Sequence, residues 1–259
     1  MIITLTTDFG AGSSYVAAVK GVLLTINPHA RLVDISHAVR SQDIGQAARI
    51  LLETTLFYPP DTVHLAVVDP GVGSGRRIVY ARIGEQHYVA PDNGLLGDLA
   101  RRVPPSKIVA ITESQYWLPD VLPTFHGRDI IAPVAARLTL GLDPDKLGGP
   151  VQELIMLERP EVRILSNHIE GEVTAVDSFG NLITNITADM LEGVPVDGSV
   201  GIFCDEHETR GIFTTYSDQP ALTLIALIGS SGYLELAIVQ ESAAAMLGVG
   251  EGVKVTVEW

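Results

Sequence analysis

The sequence predicts an N-terminal α/β domain with a mostly parallel sheet and flanking helices, followed by a small C-terminal β-barrel domain. Over residues 1–157, short apolar runs rich in branched side chains alternate with segments of helical period, the pattern of strands joined by crossover helices. Beyond Pro160, short strands separated by turn residues follow. The 259 residues are 46% hydrophobic and 19% charged, which suits folded domains and argues against disorder.

The first domain, residues 1–157, is predicted to contain six strands and four helices. Its first helix should end before Asn27-Pro28, because proline disfavours continued helix at the residue before it. The predicted strands are 2–6, 31–35, 63–68, 78–82, 87–90 and 107–111, and the predicted helices are 15–26, 43–57, 94–101 and 129–140.

The second domain, residues 163–259, follows a proline-containing break at residues 158–160, which is the predicted linker. Its pattern of short apolar runs between turn residues indicates an all-β structure. The predicted strands are 170–176, 199–203, 211–215, 222–228, 233–237 and 253–258, and the predicted helices are 187–191 and 242–247.

The charge balance limits the partners. Lys and Arg number 17 against 31 Asp and Glu, and this net charge of −14 argues against nucleic acid or an anionic membrane surface, although acidity also serves solubility. The single cysteine, Cys204, excludes an intramolecular disulfide and a thiolate zinc cluster. Because no basic leader and no apolar run of about 18 residues occur, we expect a cytoplasmic protein.

Functional side chains of an open α/β sheet collect beyond the carboxyl ends of the strands, and the first such segment is residues 7–14. This segment lacks the GxGxxG spacing of a dinucleotide loop, and Asp8 lies where a pyrophosphate would belong. A carboxylate here can accept hydrogen bonds from both hydroxyls of a ribose. It can equally cap the following helix.

The second segment is the glycine-rich run at residues 68–77. Three glycines within five residues permit a sharp bend that would bring Asp69 and Arg76 together. Such a pair can serve chemistry, or it can be a surface salt bridge, which contributes only ~0–1 kcal/mol.

The third segment is residues 123–129, at the start of a predicted helix. A lone histidine such as His126 is more often structural than catalytic. Here, however, a helix N-terminus would lower the basicity of the imidazole, and Gly127 leaves room for a small ligand. Both interpretations of His126 stay open on the residues alone.

In the second domain, residues 177–185 and 229–235 read as polar turns between strands. Asn181 offers donors and acceptors to a purine edge. Ser230 and Glu235 could hold the ends of an amino acid.

Six ordered motifs together resemble the S-adenosylmethionine hydrolases, also described as S-adenosylmethionine hydroxide adenosyltransferases, which are related to the fluorinase and chlorinase enzymes. The resemblance covers essentially the whole chain, so it is far more specific than any one motif. The motifs are TTDFG at 6–10, VVDPGVGSGRR at 67–77, APDNGLL at 90–96, TFHGRD at 124–129, DSFGNLITN at 177–185 and SSGYLE at 230–235.

This resemblance implies a homotrimer whose sites lie at subunit interfaces, between the first domain of one subunit and the second domain of its neighbour. It implies displacement at the ribose C5′ by water or hydroxide, giving adenosine and methionine, without a metal or other cofactor. The same resemblance implies the R-sulfonium epimer as a substrate.

The resemblance also implies roles for individual residues. Asp69, Arg76 and His126 look like the catalytic set that holds and activates water, with Asp69 also touching substrate. The residues that resemble the family's substrate ligands are Asp8 for the ribose, Asn181 and the backbone of Ile238 for adenine, and Ser230 and Glu235 for the methionine part. Residues 238–242 depart from the family pattern, in which a smaller run containing Asn and Gly follows GYLE.

Three rival functions are weighed against hydrolysis. Halogenation is disfavoured, since the halogenating relatives carry uncharged residues at positions 69 and 76 and a carboxylate at 69 would repel a halide. A non-catalytic adenosine or S-adenosylmethionine binding protein would keep the pocket with little turnover. A metallohydrolase would use Asp8, Asp69 and His126 as ligands, but Arg76 would place a fixed cation beside the metal.

Overall fold

A computed structural model of the chain describes all 259 residues and divides into two units, Met1–Leu157 and Glu158–Trp259. The first unit contains six strands and four α-helices. Its strands are β1 (Ile2–Thr7), β2 (Arg31–Ser36), β3 (Val63–Val67), β4 (Ile78–Ile83), β5 (Gln86–Pro91) and β6 (Pro105–Ala110), and its helices are α1 (Ser14–Ile26), α2 (Ile44–Thr54), α3 (Gly97–Arg102) and α4 (Ala132–Leu138).

The six strands form one sheet in the order β2-β1-β3-β5-β4-β6. Strand β1 is parallel to β2 and β3, and β3 is parallel to β5, whereas β4 is antiparallel to both β5 and β6. The mostly parallel sheet is therefore confirmed. The exception is β4, because no helix separates it from β5 and the two strands form a hairpin that turns at Gly84.

Helices cover both faces of this sheet. Side chains alternate across β3, so that Val63 and Leu65 join the apolar cluster containing residues of α1 and α4, whereas Ala66 joins the cluster containing residues of α2 and α3. All five residues of β3 are buried. Because both faces of β3 are packed, the end of this strand, which carries the candidate site, is held in place.

The helix boundaries correct the sequence predictions in detail. Helix α1 begins after Ser13, whose hydroxyl accepts from the N–H of Tyr15, and it ends before Asn27-Pro28 as expected. The helix predicted at 43–57 ends at Thr54 and continues only as a 3₁₀ turn. The helix predicted at 129–140 is shorter, because residues Gly127–Ile131 form a wider π-type turn before α4.

The second unit is a barrel-like sheet of nine strands. Their order is β11-β10-β15-β8-β9-β14-β13-β12, with β7 added on β8. The strands are β7 (Arg163–Leu165), β8 (His168–Val176), β9 (Leu182–Thr187), β10 (Gly201–Cys204), β11 (His207–Arg210), β12 (Ile212–Phe213), β13 (Leu224–Ile228), β14 (Tyr233–Ile238) and β15 (Lys254–Glu258), and α5 spans Ala243–Leu247.

The barrel is nearly closed where β11 meets β13. The hydroxyl of Thr209 in β11 donates to the carbonyl of Leu224 in β13 at 2.7 Å. A cluster of buried apolar side chains, which includes Cys204 and Leu236, forms the core of this unit. The barrel prediction is thus confirmed, and none of the helices in either unit has the length and apolar character needed to span a bilayer.

Three elements of the second unit differ from the sequence predictions. The helix predicted at 187–191 is only a 3₁₀ turn at Asp189–Leu191, and it follows β9, most of which lies in the predicted polar turn at 177–185. Four of the six residues of β9 are buried, because β8 and β14 flank it. The strand predicted at 211–215 is reduced to β12.

Candidate active site

Asp8 follows β1 directly, at the carboxyl edge of the sheet. Its Oδ2 accepts from the N–H of Gln42 at 2.8 Å. The neighbouring Thr7 hydroxyl lies 2.8 Å from Nδ1 of His37, whose carbonyl accepts from the N–H of Gly10. Since Ser13 caps α1, the alternative that Asp8 is the helix cap is wrong.

Asp69 and Arg76 form a nearly buried ion pair. The Nε of Arg76 donates to both carboxylate oxygens of Asp69 at 2.7 Å, and its Nη2 donates to Oδ2. Solvent reaches only 4% of the Asp69 side chain and 10% of the Arg76 side chain. This geometry contradicts an exposed surface salt bridge, because both charges are held away from water at the end of β3.

The loop between these two residues is folded by its own hydrogen bonds. The N–H of Val72 donates to the carbonyl of Asp69, and both the N–H and the hydroxyl of Ser74 donate to the carbonyl of Gly71. Gly73 has a φ of 81°, and a Cβ on it would lie 2.7 Å from the carbonyl oxygen of Pro123. Glycine at 73 therefore lets this loop approach the segment that carries His126.

His126 contacts the other end of the same guanidinium. Its Nδ1 lies 3.1 Å from Nη2 of Arg76. Burial lowers the pKa of His126, and the charge of Arg76 lowers it further. Because a guanidinium can only donate, Nδ1 must accept, which assigns the neutral tautomer with its proton on Nε2.

The second unit holds the other candidate residues. The Nδ2 of Asn181 donates to Oδ2 of Asp177 at 2.9 Å, and the backbone N–H of Asn181 donates to Oδ1 of Asp177 at 2.8 Å. Glu235 is buried and accepts from the hydroxyl of Tyr216 at 3.0 Å. Ser230 is exposed on the turn before β14.

Ile238 ends β14, and its side chain is buried. Its carbonyl accepts from the N–H of Glu241, and Gln240 between them adopts a left-handed φ of 67°. This is the stretch where the sequence departs from the family pattern of small residues. The departure places a long side chain at a backbone position that favours glycine or asparagine.

The comparisons with known proteins agree with this architecture. The model of the SAM hydroxide adenosyltransferase N-terminal domain matches residues 3–148, and that of the C-terminal domain matches residues 171–256. The chain belongs to the SAM hydroxide adenosyltransferase family. The resemblance inferred from the six motifs is thereby confirmed.

Relatives within this family match over nearly the full length. The (R)-S-adenosyl-L-methionine hydrolase of Thermus thermophilus is 40% identical, covering 96% of each chain, and that of Salinispora tropica is 38% identical, covering 96% of this chain and 95% of its own. The fluorinase of Nocardia brasiliensis is more distant, at 27% identity over 99% of this chain and 96% of its own. The structure is similar to that of an uncharacterised conserved protein from Thermotoga maritima, with a TM-score of 0.91, 34% identity and full coverage of both chains.

Sequence reasoning did not find the aromatic cluster beside His126. Phe9, Tyr15 and Phe125 pack against one another with ring centroids 5.1–5.9 Å apart, and the guanidinium of Arg128 lies over the Phe125 ring at 4.7 Å. One aromatic residue in each of the TTDFG and TFHGRD motifs was the available signal. The cluster forms an apolar surface beside His126.

The structure offers no set of ligands for a metal ion. Nowhere in the chain do three His, Cys, Asp or Glu side chains converge in a way that could hold one. Asp69 and His126 instead face the permanently charged Arg76, which would repel a cation bound between them.

Proposed function

We propose that this protein hydrolyses S-adenosylmethionine to adenosine and L-methionine, by attack of water at the ribose C5′. The observation that carries the proposal is the contact of Arg76 with both Asp69 and His126 at the carboxyl edge of the sheet. Membership of the SAM hydroxide adenosyltransferase family supports the same reaction. Relatives that are 38% and 40% identical are named (R)-S-adenosyl-L-methionine hydrolases. We therefore propose the R-sulfonium epimer as the substrate.

The catalytic task is to make water a competent nucleophile. The oxygen of water forms a bond to C5′ while the bond from C5′ to sulfur breaks, and the electron pair stays on sulfur as the neutral thioether of methionine. Asp69 accepts the proton that water loses, and Arg76 stabilises the developing hydroxide. Neutral His126 orients the guanidinium through Nδ1. Because the leaving group becomes neutral, no acid is needed on its side.

Substrate binding divides between the two units. Asp8 accepts hydrogen bonds from the ribose hydroxyls, and Asn181 and the backbone of Ile238 hold adenine. Ser230 and Glu235 hold the methionine part, where the buried carboxylate of Glu235 suits an ammonium group. These residues are proposed to meet at the subunit interfaces of a homotrimer. Light scattering of the purified protein tests the trimer, and a monomer with full activity would contradict it.

Water is favoured over halide as the nucleophile. The carboxylate of Asp69 is nearly buried, and its negative charge would repel an anion that approaches the reaction axis. Incubation with S-adenosylmethionine in chloride or fluoride should therefore yield adenosine and no halogenated nucleoside.

We also keep the cytoplasmic location as a prediction, which cell fractionation tests.

The decisive experiment is turnover in water enriched in ¹⁸O. The separated R and S sulfonium epimers are each incubated with the protein, and adenosine and methionine are measured by mass spectrometry. We expect equimolar products, a preference for the R epimer, and one ¹⁸O atom in the 5′ hydroxyl of adenosine.

The matched control is the variant Asp69→Ala. If wild type and variant release the same trace of adenosine, the non-catalytic binding alternative holds and the proposed function is wrong. Unlabelled adenosine, or label in a position other than the 5′ oxygen, would contradict attack of water at C5′.

A further inference from the structure

Two consecutive residues after β5, Asp92 and Asn93, are bonded to both ends of the loop that carries Asp69 and Arg76. They belong to the APDNGLL motif, to which the catalytic proposal gives no task. Strand β5 lies between β3, where the loop begins, and β4, where the loop ends. The dipeptide is therefore placed to hold the two ends of the loop against each other.

Asn93 holds the first end of the loop. Its Nδ2 donates to the carbonyl oxygen of Val68 at 2.9 Å, and its Oδ1 accepts from the N–H of Leu95 at 3.3 Å. Val68 is fully buried and directly precedes Asp69. The peptide group that leads into Asp69 is thus fixed by a side chain from the neighbouring strand.

Asp92 holds the second end. Its Oδ2 accepts from Nε and Nη2 of Arg77 at 2.9 and 2.5 Å, and its N–H donates to the Arg77 carbonyl at 3.0 Å. The Oδ1 of Asp92 accepts from the N–H of Ile155 at 2.8 Å, and only 1% of the side chain is exposed. Arg77 directly follows Arg76, so this charged contact fixes the backbone from which the catalytic guanidinium projects.

We propose that Asp92 and Asn93 are positioning residues for hydrolysis, which set Asp69 and Arg76 at the distance from His126 that the reaction needs. The inference rests on the proposed function. The Asp69–Arg76 pair can form in a loosened loop, because its seven-residue separation keeps both partners close. Its contact with His126 depends on where the loop ends lie, since His126 belongs to a separate segment. A shift of about 1 Å in such a set can lower the rate roughly 100-fold.

The test uses Arg77→Ala and Asn93→Ala. The Arg77 side chain is 47% exposed, so its truncation disturbs little packing, and it leaves the buried carboxylate of Asp92 without its ion pair. We expect both variants to lower kcat by roughly 10- to 100-fold while the KM for S-adenosylmethionine changes less than about threefold. Arg77→Lys, which keeps a donor and a charge for Asp92, should recover part of the loss.

Tyr88→Phe is the matched control. Tyr88 is buried in β5, and its hydroxyl donates to Thr55 at 2.8 Å, so the variant loses a hydrogen bond in the same strand without touching the loop. We expect a lower melting temperature and an unchanged kcat. If Tyr88→Phe lowers kcat as much as Asn93→Ala does, the dipeptide acts only through stability and the proposal is wrong.

A second readout does not require turnover. Arg76 lowers the pKa of His126 more strongly than Asp69 raises it, so withdrawal of the loop should raise that pKa in Arg77→Ala and Asn93→Ala and leave it unchanged in Tyr88→Phe. The ring signals of His126 in NMR spectra measure it. If wild-type protein releases no adenosine, the proposed function fails, and a raised pKa of His126 in the two loop variants then supports only the structural role of Asp92 and Asn93 in placing the loop. An unchanged pKa of His126 in both loop variants overturns the positioning role of Asp92 and Asn93.

Discussion

Both carboxylate oxygens of Asp69 accept hydrogen bonds from the guanidinium of Arg76, and neither side chain is appreciably exposed. Removing one partner leaves the other charge buried and unpaired. We therefore expect Asp69→Asn and Arg76→Gln each to lower kcat by roughly 10²- to 10⁴-fold. The double variant should lose little more than the worse single variant, because the two groups act as a unit. Adenosine release is measured for all three variants. If the losses of the single variants multiply in the double variant, each group acts alone.

The pH dependence of kcat/KM should report the neutral form of His126. Burial and Arg76 both lower its pKa, so the imidazole stays neutral to a lower pH than an ordinary histidine. We expect the acid limb of the profile to have its midpoint below pH ~6.5. His126→Asn should abolish that limb. A midpoint above this value in wild type would contradict a neutral His126.

His64 should make folding stability depend on pH. It is fully buried, its Nδ1 contacts the hydroxyl of Thr4 at 2.7 Å, and burial lowers its pKa to about 3. The unfolded chain binds a proton near pH 6.5 that the folded chain does not, so stability is complete above that pH and falls as the pH decreases toward 3. Between pH 7.5 and 5, the loss due to His64 should be about 2 kcal/mol.

Urea unfolding at the two pH values measures this loss. The variant His64→Asn, which cannot titrate, serves as the control, since all other titrating groups are shared. The difference between the two proteins isolates the contribution of His64. If the stability of both proteins depends equally on pH, a contribution from His64 is excluded.

Two glycines of the loop between Asp69 and Arg76 should tolerate alanine very differently. Gly73 has a positive φ, and a Cβ there would press on the carbonyl of Pro123, whereas a Cβ on Gly75 meets nothing within 4 Å. Gly73→Ala should lower stability by about 1 kcal/mol or more and reduce kcat, because it pushes the loop away from the His126 segment. Gly75→Ala should change neither. Thermal unfolding and adenosine release on both variants decide the matter.

The position of Glu235 should affect substrate affinity more than the chemical step. A Cβ on Gly229 would collide with the Glu235 carboxylate, so Gly229→Ala must displace it. We expect a raised KM for S-adenosylmethionine with kcat largely retained, since this carboxylate is proposed to bind the methionine end. Gly250→Ala in the same unit, where a Cβ has open space, is the control. A lowered kcat at unchanged KM would contradict the assignment.

The features that the sequence could predict are those encoded by neighbouring residues. The bend that joins Asp69 and Arg76 needs only a glycine-rich loop of a few residues, and the stop of α1 needs only Asn27-Pro28. The sheet class followed from the alternation of apolar runs and helical periods. Each of these depends on short-range sterics or on burial patterns that the residues display directly.

The features that the sequence could not predict depend on long-range packing. The contact between His126 and Arg76 joins residues 50 positions apart, and spacing alone does not measure it. Strand β9 was missed because Thr184 and Asn185 interrupt its apolar pattern, although β8 and β14 bury most of it. The closing contact of Thr209 with Leu224 likewise exists only once the barrel is assembled.

The reversed direction of β4 has a geometric consequence for chemistry. A strand of six residues is about 20 Å long. Had β4 followed β3 in the same direction, its first residues would lie at the far end of the sheet, and Arg76 would sit about that distance from Asp69. Because β4 runs opposite to β3, the ten residues 68–77 leave and re-enter the sheet at the same edge. A single inverted strand thus lets so short a loop supply both an anion and a cation to one point.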